Sequence, residues 1–542
     1  MSQRKEKTNF LAQGSILAVS GIIVRLIGLL YRIPVVNIIG EEGSGYYTIA
    51  FDIYNIALIL SSYSLPLAVS KLMAAREVKR KYRESFRVFA CAFLFAAGSG
   101  LAMAAVIFFG ADWIAAKFYN LPGVAIPLKI LAPTIFVCAI LGVLRGLYQG
   151  KRTMIPTALS QILEQVVNAA VSIGMASWLM KKYAGQELAA SYGASGSTIG
   201  TGAGALVALL FLLFVFAVYW PVLNRQMRRD RSSTTQSYSG IFKVLVWTII
   251  PVILSQTIYQ VSGVIDNSLF SKIMEGRGMA YELRSSLVGV YGSKYRTLIN
   301  VPIAISQAVS TAMVPSMVAS CVRNDMKDVA SKIKSAIKFN MMIAIPAAVG
   351  MGVLAKPIIS MLFAGSSDIA YQIMAAGALA VVFYALSTVT NGVLQGINRM
   401  KLPVIHSAIA LVIHLVLVVV LLKFTDLGIF ALVIGNMVFP LVVAILNWIA
   451  IDRELPYHQE IYTTFVVPFL SSIVMGAAAY FSYKGLYALI KSNTAATLLA
   501  IVIAVLIYGI GIILLKGFER EELSAVPGGR TLVSLLEKLH LM

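Results

Sequence analysis

Charge is scarce in this sequence. Only 13% of its 542 residues are Asp, Glu, Lys or Arg, about half the share found in a typical soluble domain. A soluble chain of this length would form two or three domains, and 45 basic plus 24 acidic residues are too few to coat them. Cysteine is scarcer still. Cys91, Cys138 and Cys321 are odd in number, lie in or beside apolar segments and lack metal-type spacing, so they read as small buried hydrophobes rather than a disulfide or zinc framework. No phosphate-binding Walker sequence, no His-Glu-x-x-His and no Gly-x-Ser-x-Gly occurs, which removes the usual machinery for nucleotide hydrolysis, metalloprotease chemistry and acyl transfer. The expectation is not an enzyme, with no metal and no bound cofactor.

Apolar residues make up 58% of the chain and the mean hydropathy is +0.82. Apolar runs of 18 or more residues recur from end to end, as in membrane-spanning helices. The sequence predicts an all-α integral membrane protein with fourteen transmembrane helices. The spans are 10–39, 46–71, 86–110, 121–148, 154–180 and 194–222, then 241–271, 286–320, 333–355, 369–396, 402–423 and 427–450, and finally 463–489 and 495–516. The basic opening Met-Ser-Gln-Arg-Lys-Glu-Lys looks like the start of a signal peptide. The apolar stretch behind it is too long for one, so it is expected to remain as the first span.

The formal net charge of +21 matters less than its distribution. One loop carries Lys71, Arg76, Lys79, Arg80, Lys81, Arg83 and Arg87, another Arg225, Arg228, Arg229 and Arg231, and a third Arg323, Lys327, Lys332, Lys334 and Lys338. These loops fall on one side if both termini are cytoplasmic, the asymmetry that orients membrane proteins. They are also a contact for anionic lipid. Without interleaved aromatics they do not suggest nucleic acid.

The polar stretch Arg225–Gly240 divides two six-span halves: a lobe over 1–223, a cytoplasmic linker at 224–240 and a second lobe over 241–451, followed by two C-terminal helices in 463–516. A tail at 517–542, with Leu532, Leu535, Leu536 and Leu539 at helical spacing, is expected to lie on the inner membrane surface as an amphipathic helix. The halves echo one another. The fourth span ends in Gly142-Val143-Leu144-Arg145-Gly146-Leu147-Tyr148-Gln149-Gly150 before Pro156, and the tenth in Gly392-Val393-Leu394-Gln395-Gly396 before Pro403. Two such halves around a central cavity are a transporter architecture.

A charge at mid-bilayer costs at least ~2.5 kcal/mol, so each intramembrane charge calls for a function or a partner. Arg25 and Arg32 lie two turns apart on one face of the first span. Asp52, Asn55 and Ser62 align on the second span, Gln161, Glu164, Asn168 and Ser172 on the fifth, Gln256, Tyr259, Gln260, Gly263 and Asp266 on the seventh, and Ser293, Arg296, Asn300 and Gln307 on the eighth. These stripes are expected to meet at a wet cavity, with Lys294 snorkelling outward. Structural ion pairs such as Arg25 with Asp52 or Arg296 with Asp266 are the alternative. The bases Arg25, Arg32, Lys129, Lys294 and Arg296 outnumber the acids Asp52, Glu164 and Asp266, and a net positive cavity suits an anionic substrate. Arginine in particular matches phosphate oxygens with its planar fork of donors. His406 and His414 read as packing residues, and Gly196, Gly200 and Gly204 as a close helix contact.

Several motifs, in their order along the chain, resemble the MOP exporter superfamily and, within it, the polysaccharide-transporter branch with the Gram-positive SpoVB and YtgP (MurJ-like) lipid II flippases. They are Gly14-Ser15-x8-Val24-Arg25-Leu26-Ile27-Gly28-x2-Tyr31-Arg32, Gly40-x4-Gly45-Tyr46-Tyr47, Leu65-Pro66-x-Ala68-Val69-Ser70-Lys71 and Tyr295-Arg296-Thr297-Leu298-Ile299-Asn300-Val301-Pro302. The resemblance implies a V-shaped pair of lobes that turn an undecaprenyl-diphosphate-linked oligosaccharide, lipid II first among them, from the inner to the outer leaflet by alternating access. It places Arg25, Arg32 and Arg296 where the family has cavity arginines, so these are expected to hold the diphosphate, and from the polar stripes Asn300, Asn55 and Gln256 are expected as further substrate contacts. Asp52, Glu164 and Asp266 are left to pair with these arginines or to bind a coupling cation, and the membrane potential is another candidate driving force. The chain departs from Gram-negative relatives in having Asp52, Ala57 and Leu58 where they carry basic residues. It also lacks acids near the eleventh span. Alternatives are a spore-cortex, capsular or teichoic glycan exporter, or a MATE-type drug or cation antiporter. A monomer in the bacterial plasma membrane, in touch with cell-wall synthesis proteins, completes the expectation.

Overall fold

The computed structural model describes residues 2–230, 236–455, 457 and 459–517, and the predicted amphipathic tail lies outside them. Among the described residues all regular structure is helical. The chain divides into two compact units, Met1–Gly289 and Val290–Met542, so the division falls inside the predicted eighth span.

In the first unit α1 runs Ser2–Ser61, α2 Leu65–Val78, α3 Tyr82–Trp113, α4 Ala125–Gly150, α5 Ile155–Lys182, α6 Ala189–Arg228, α7 Tyr238–Gly276 and α8 Tyr281–Gly289. The first two predicted spans form a continuous helix interrupted at Gly40, whose φ of 70° takes the chain out of helical geometry. Gly suits that conformation because it has no Cβ. The helix breaks again at residues 62–64, and α2 restarts with Pro66 in its first turn, where a missing N–H costs nothing. The core joins α2, α3, α4, α6 and α7 through Val69, Val88, Ala92, Val143, Leu212 and Leu245.

In the second unit a π-helical turn, Val290–Tyr295, leads into α9 (Arg296–Val322). There follow α10 (Met326–Val353), α11 (Ala355–Leu362), α12 (Asp368–Gly377), α13 (Ala380–Gly396), α14 (Lys401–Phe424), α15 (Phe430–Glu454), α16 (Val467–Ile490) and α17 (Asn493–Leu514). The predicted tenth span is the pair α12 and α13, bent by 42°. Among the described residues ten helices are long and apolar enough to cross a membrane, or eleven with that pair counted once. The predicted fourteen is not reached by this measure. Spans one and two are scored together as Ser20–Val78, and the stretches of α7 and of α8 through α9 are not among those ten. Large apolar side chains such as Phe109 and Leu489 stand 80% and 83% exposed, as a lipid-facing surface requires.

The sequence echo between halves has a packing counterpart in each unit. On α4, Gly142 and Gly146 face Pro66 and Val69 of the α2 segment, and a Cβ on Gly146 would come within 2.8 Å of Val69. On α13, Gly392 and Gly396 face Ser310 and Met317 of α9, with 2.7 Å to the Met317 sulfur. Each unit therefore seats its fourth predicted span on its second through glycines four residues apart. The Gly196, Gly200 and Gly204 row is likewise a helix contact. Cβ atoms there would meet Ala176, Ser172 and the Glu164 carbonyl of α5 at 2.4 Å or less.

Enlarging this row should cost about 1–3 kcal/mol of stability through overpacking. Gly200→Leu is expected to lower the melting temperature of the detergent-purified protein clearly. Gly98→Leu on α3, where nothing lies within 4 Å, should leave it close to wild type in the same fluorimetric scan.

Candidate intramembrane anion site

The polar residues of the first unit gather around the two limbs of α1. On the outgoing limb Tyr47, Phe51 and Tyr54 recur at steps of four and three and so share a face. Tyr47 stacks on Phe51 at a centroid distance of 5.4 Å, and Phe51 meets Tyr54 in a tilted contact at 5.6 Å. The half-buried Arg32 of the incoming limb places its guanidinium over Phe51 at 5.4 Å, beside the phenols of Tyr31 and Tyr47. Tyr31 is fixed in turn by Asn168 of α5, whose Nδ2 donates to its hydroxyl at 3.2 Å. At the far end of the ladder the Tyr54 hydroxyl meets the Cys138 sulfur of α4 at 3.3 Å. Among the described residues no carboxylate pairs with Arg32. Its charge is held by π faces and neutral hydroxyls, an arrangement worth up to about 2 kcal/mol when desolvated, and its capacity to attract an anion is retained. Arg25, predicted to share this role, is exposed and has no hydrogen bond or ion pair among the described residues.

The α5 stripe is used differently from the expectation. Glu164 is bound by Arg145 of α4, Nη2 to Oε2 at 2.6 Å, and the Arg145 Nε also donates to Ser160 at 3.1 Å. Arg145 lies inside the predicted fourth span and is an intramembrane base that the polar stripes do not include. Its signal was present, since a basic residue near the end of one span and an acid near the start of the next meet across a hairpin. Further along, Ser172 donates to the Ser197 carbonyl of α6 at 3.0 Å. Asn168 and Ser172 are therefore buried at helix contacts and do not line a wet surface, because backbone proximity at the glycine row makes interhelical hydrogen bonds short enough to form. Asp52 accepts from Asn267 of α7 at 3.1 Å. Asp266 is 4% exposed, and Asn55 and Gln256 are half-buried.

In the second unit Arg296 begins α9 directly after the π turn and is half-buried, while Asn300 one turn on is exposed. Lys294 does not snorkel outward. It is 2% exposed, donates to Ser366 at 2.8 Å and lies 5.8 Å from the Phe363 ring centre. The extra residue of the π turn shifts the helical phase, which an ideal 3.6-residue projection could not anticipate. Tyr295 bonds the Gly377 carbonyl at 3.0 Å and Asn436 at 3.1 Å. His406 meets Asn447 at 2.7 Å and His414 the Gly435 carbonyl at 2.9 Å, in the packing role expected. No cluster of three or more potential metal ligands occurs among the described residues.

The Arg145–Glu164 pair is 15% and 21% exposed, so breaking it should cost about 1–3 kcal/mol, less than a fully dry pair. Arg145→Met alone, leaving Glu164 without its partner, is expected to destabilise the protein more than the double replacement Arg145→Met with Glu164→Leu. Unfolding midpoints of the three proteins in one detergent test this.

Comparison with known proteins places these features in a lineage. Across 98% of its length the chain is 26% identical to the uncharacterized membrane protein YabM of Bacillus subtilis, covering 98% of that protein. It is 24% identical to the stage V sporulation protein B of the same organism, with 96% of this chain and 98% of the relative covered. It is 23% identical to that organism's lipid II flippase MurJ, over 85% and 86% of the two chains. Among solved structures, a lipid II flippase MurJ in an inward closed conformation superposes with a TM-score of 0.65 at 17% identity, covering 91% of this chain and 97% of the other. An inward-facing MATE family multidrug resistance transporter of the MOP superfamily gives 0.62 at 17% identity, covering 80% and 97%. The fold is thus the multi-pass helical fold these two transporter groups share. Residues 279–368 match one family described as polysaccharide biosynthesis protein. A second family of that description matches residues 10–321, more than half of the chain, and the chain belongs to this polysaccharide biosynthesis protein family.

Proposed function

We propose that this protein is a flippase that moves an anionic, undecaprenyl-diphosphate-linked oligosaccharide, lipid II foremost, from the inner to the outer leaflet by alternating access. The observation that carries the reading is Arg32, a permanently charged group within a membrane-crossing helix that no described carboxylate neutralises. A diphosphate supplies two adjacent anionic groups suited to the bidentate guanidinium fork. Likeness to the flippase over 85% of the chain supports the same substrate class. In this reading Arg25 and Arg296 are further head-group contacts, with Asn300, Asn55 and Gln256 beside them. Asp52 and Asp266 are candidates for a coupling cation, and the Arg145–Glu164 pair holds α4 to α5. In this reading both termini face the cytoplasm, the orientation that the basic loops favour. The membrane potential is a second source of drive, worth ~2.3 kcal/mol per charge per 100 mV.

The likeness to the stage V sporulation protein B over 96% of the chain favours, as a second reading, a spore-specific lipid-linked glycan. Reconstituted liposomes loaded with fluorescent lipid II, or with a lipid-linked glycan lacking the peptide, separate the two by rate, and a cationic dye in the same vesicles tests drug antiport. Arg32→Ala is expected to slow glycan flipping at least tenfold, with Arg32→Lys intermediate. Arg32→Ala flipping at the wild-type rate would remove this arginine from the mechanism. Rescue of a strain depleted of its lipid II flippase should fail for Arg32→Ala and for Arg296→Ala.

A further inference from the structure

The basic end of the first unit holds an open cavity of about 430 Å³, lined by Glu77, Arg80, Tyr82, Gly150, Lys151 and Arg152 among others. Its volume lies within the roughly 300–1,000 Å³ of small-molecule sites. Lys151 is committed, with Nζ bonded to Glu77 at 2.7 Å and to Gln226 at 2.9 Å and lying 5.5 Å from the Tyr82 ring centre. Lys151 therefore cancels Glu77, and the surplus charge belongs to Arg80 and Arg152. Both are exposed, and among the described residues neither has a side-chain hydrogen bond or ion pair.

The backbone at these two arginines is informative. Each follows a helix end in left-handed conformation, φ 56° at Arg80 and 59° at Arg152. Both turns close the same way, with Lys81 N donating to the Arg76 carbonyl and Thr153 N to the Tyr148 carbonyl, each at 3.0 Å. Glycine or asparagine is the residue such a turn favours. The second unit repeats both turns. Asn324 (φ 56°) follows α9 and Asn398 (φ 62°) follows α13, closed by Asp325 N to the Ser320 carbonyl at 3.1 Å and Arg399 N to the Leu394 carbonyl at 2.8 Å. There the favoured asparagine stands where the first unit has arginine. By the same register Cys321, Met326 and Ile397 stand where the first unit has Glu77, Tyr82 and Lys151. The arginines nearest those second-unit turns, Arg323 and Arg399, are neutralised by Asp328 at 3.4 Å and Glu454 at 2.8 Å. Compensation of a helix C-terminal dipole is met in the second unit without arginine at the left-handed position. The first unit has arginine at both, against backbone preference and on the rim of one cavity.

We infer that this cavity is a second anion site, which takes a phosphate-bearing head group through the guanidinium groups of Arg80 and Arg152, with Tyr82 as its aromatic wall. It is distinct from the intramembrane arginines and does not depend on the transport reading, because binding is measured without flipping.

The second unit supplies the test variant. Arg80→Asn with Arg152→Asn copies its turns, removes both charges and improves the local backbone fit, so the protein should melt no lower than wild type. Purified protein in neutral detergent is titrated calorimetrically with sodium pyrophosphate and, separately, with short-chain phosphatidylglycerol. Wild type and Arg32→Ala should bind at least one probe saturably, more weakly as salt rises, and the double asparagine variant at least tenfold more weakly. A preference for the lipid assigns a membrane head group, and equal or better binding of pyrophosphate assigns a free or diphosphate ligand. Failure of wild type to bind either probe, or unchanged affinity in the folded double variant, overturns the inference.

Discussion

A guanidinium cannot shed its proton to enter hydrocarbon, so a chain that buries one must give it partners. In this protein the partners of Arg32 are aromatic faces and phenols. The choice has consequences across the first unit. Seating Arg32 on the ladder of Tyr47, Phe51 and Tyr54 needs both limbs of α1 alongside each other, which the break at Gly40 allows. Tyr31 needs Asn168, which commits α5 to that neighbourhood. Ser172, which donates to Asn168, in turn needs α6 close enough for its bond to the Ser197 carbonyl, and the glycines at 196, 200 and 204 provide the approach. One unneutralised charge thus sits at the end of a chain of contacts that runs through three helices.

The contrast with Arg145 shows why placement matters more than residue type. Both are arginines in membrane-crossing helices, yet Arg145 meets a carboxylate at 2.6 Å and its field is cancelled locally. An ion pair of this kind holds two helices together and offers little to a substrate. A guanidinium on a π face keeps its full charge available, because a ring quadrupole attracts a cation without supplying a counter-charge.

Internal duplication adds a second level of comparison. The two units repeat the glycine seats of α4 on α2 and of α13 on α9, and the left-handed turns that follow. Where the copies agree, the residues serve packing: small side chains at the crossings and prolines in the first turn of the next helix. Where they differ, as at Arg80 against Asn324, the shared left-handed backbone favours the asparagine and the arginine adds a charge.

Much of the fold was legible in the sequence. Low charge and long apolar runs require a membrane solvent, and the duplicated Gln-Gly turns with their prolines announced equivalent helix pairs. The small-residue row was readable as a close contact because only glycine permits that backbone approach. Helical spacing also put Asn168 and Ser172 on one face correctly, but periodicity names a face and not its neighbour. Whether that face met water, lipid or another helix was decided by tertiary packing. So were the pairing of Glu164 with Arg145, the burial of Lys294 within a π turn, and the aromatic seat of Arg32. Each depends on which helices lie side by side and on their rotation about their own axes. One inserted residue in a turn is enough to change that rotation.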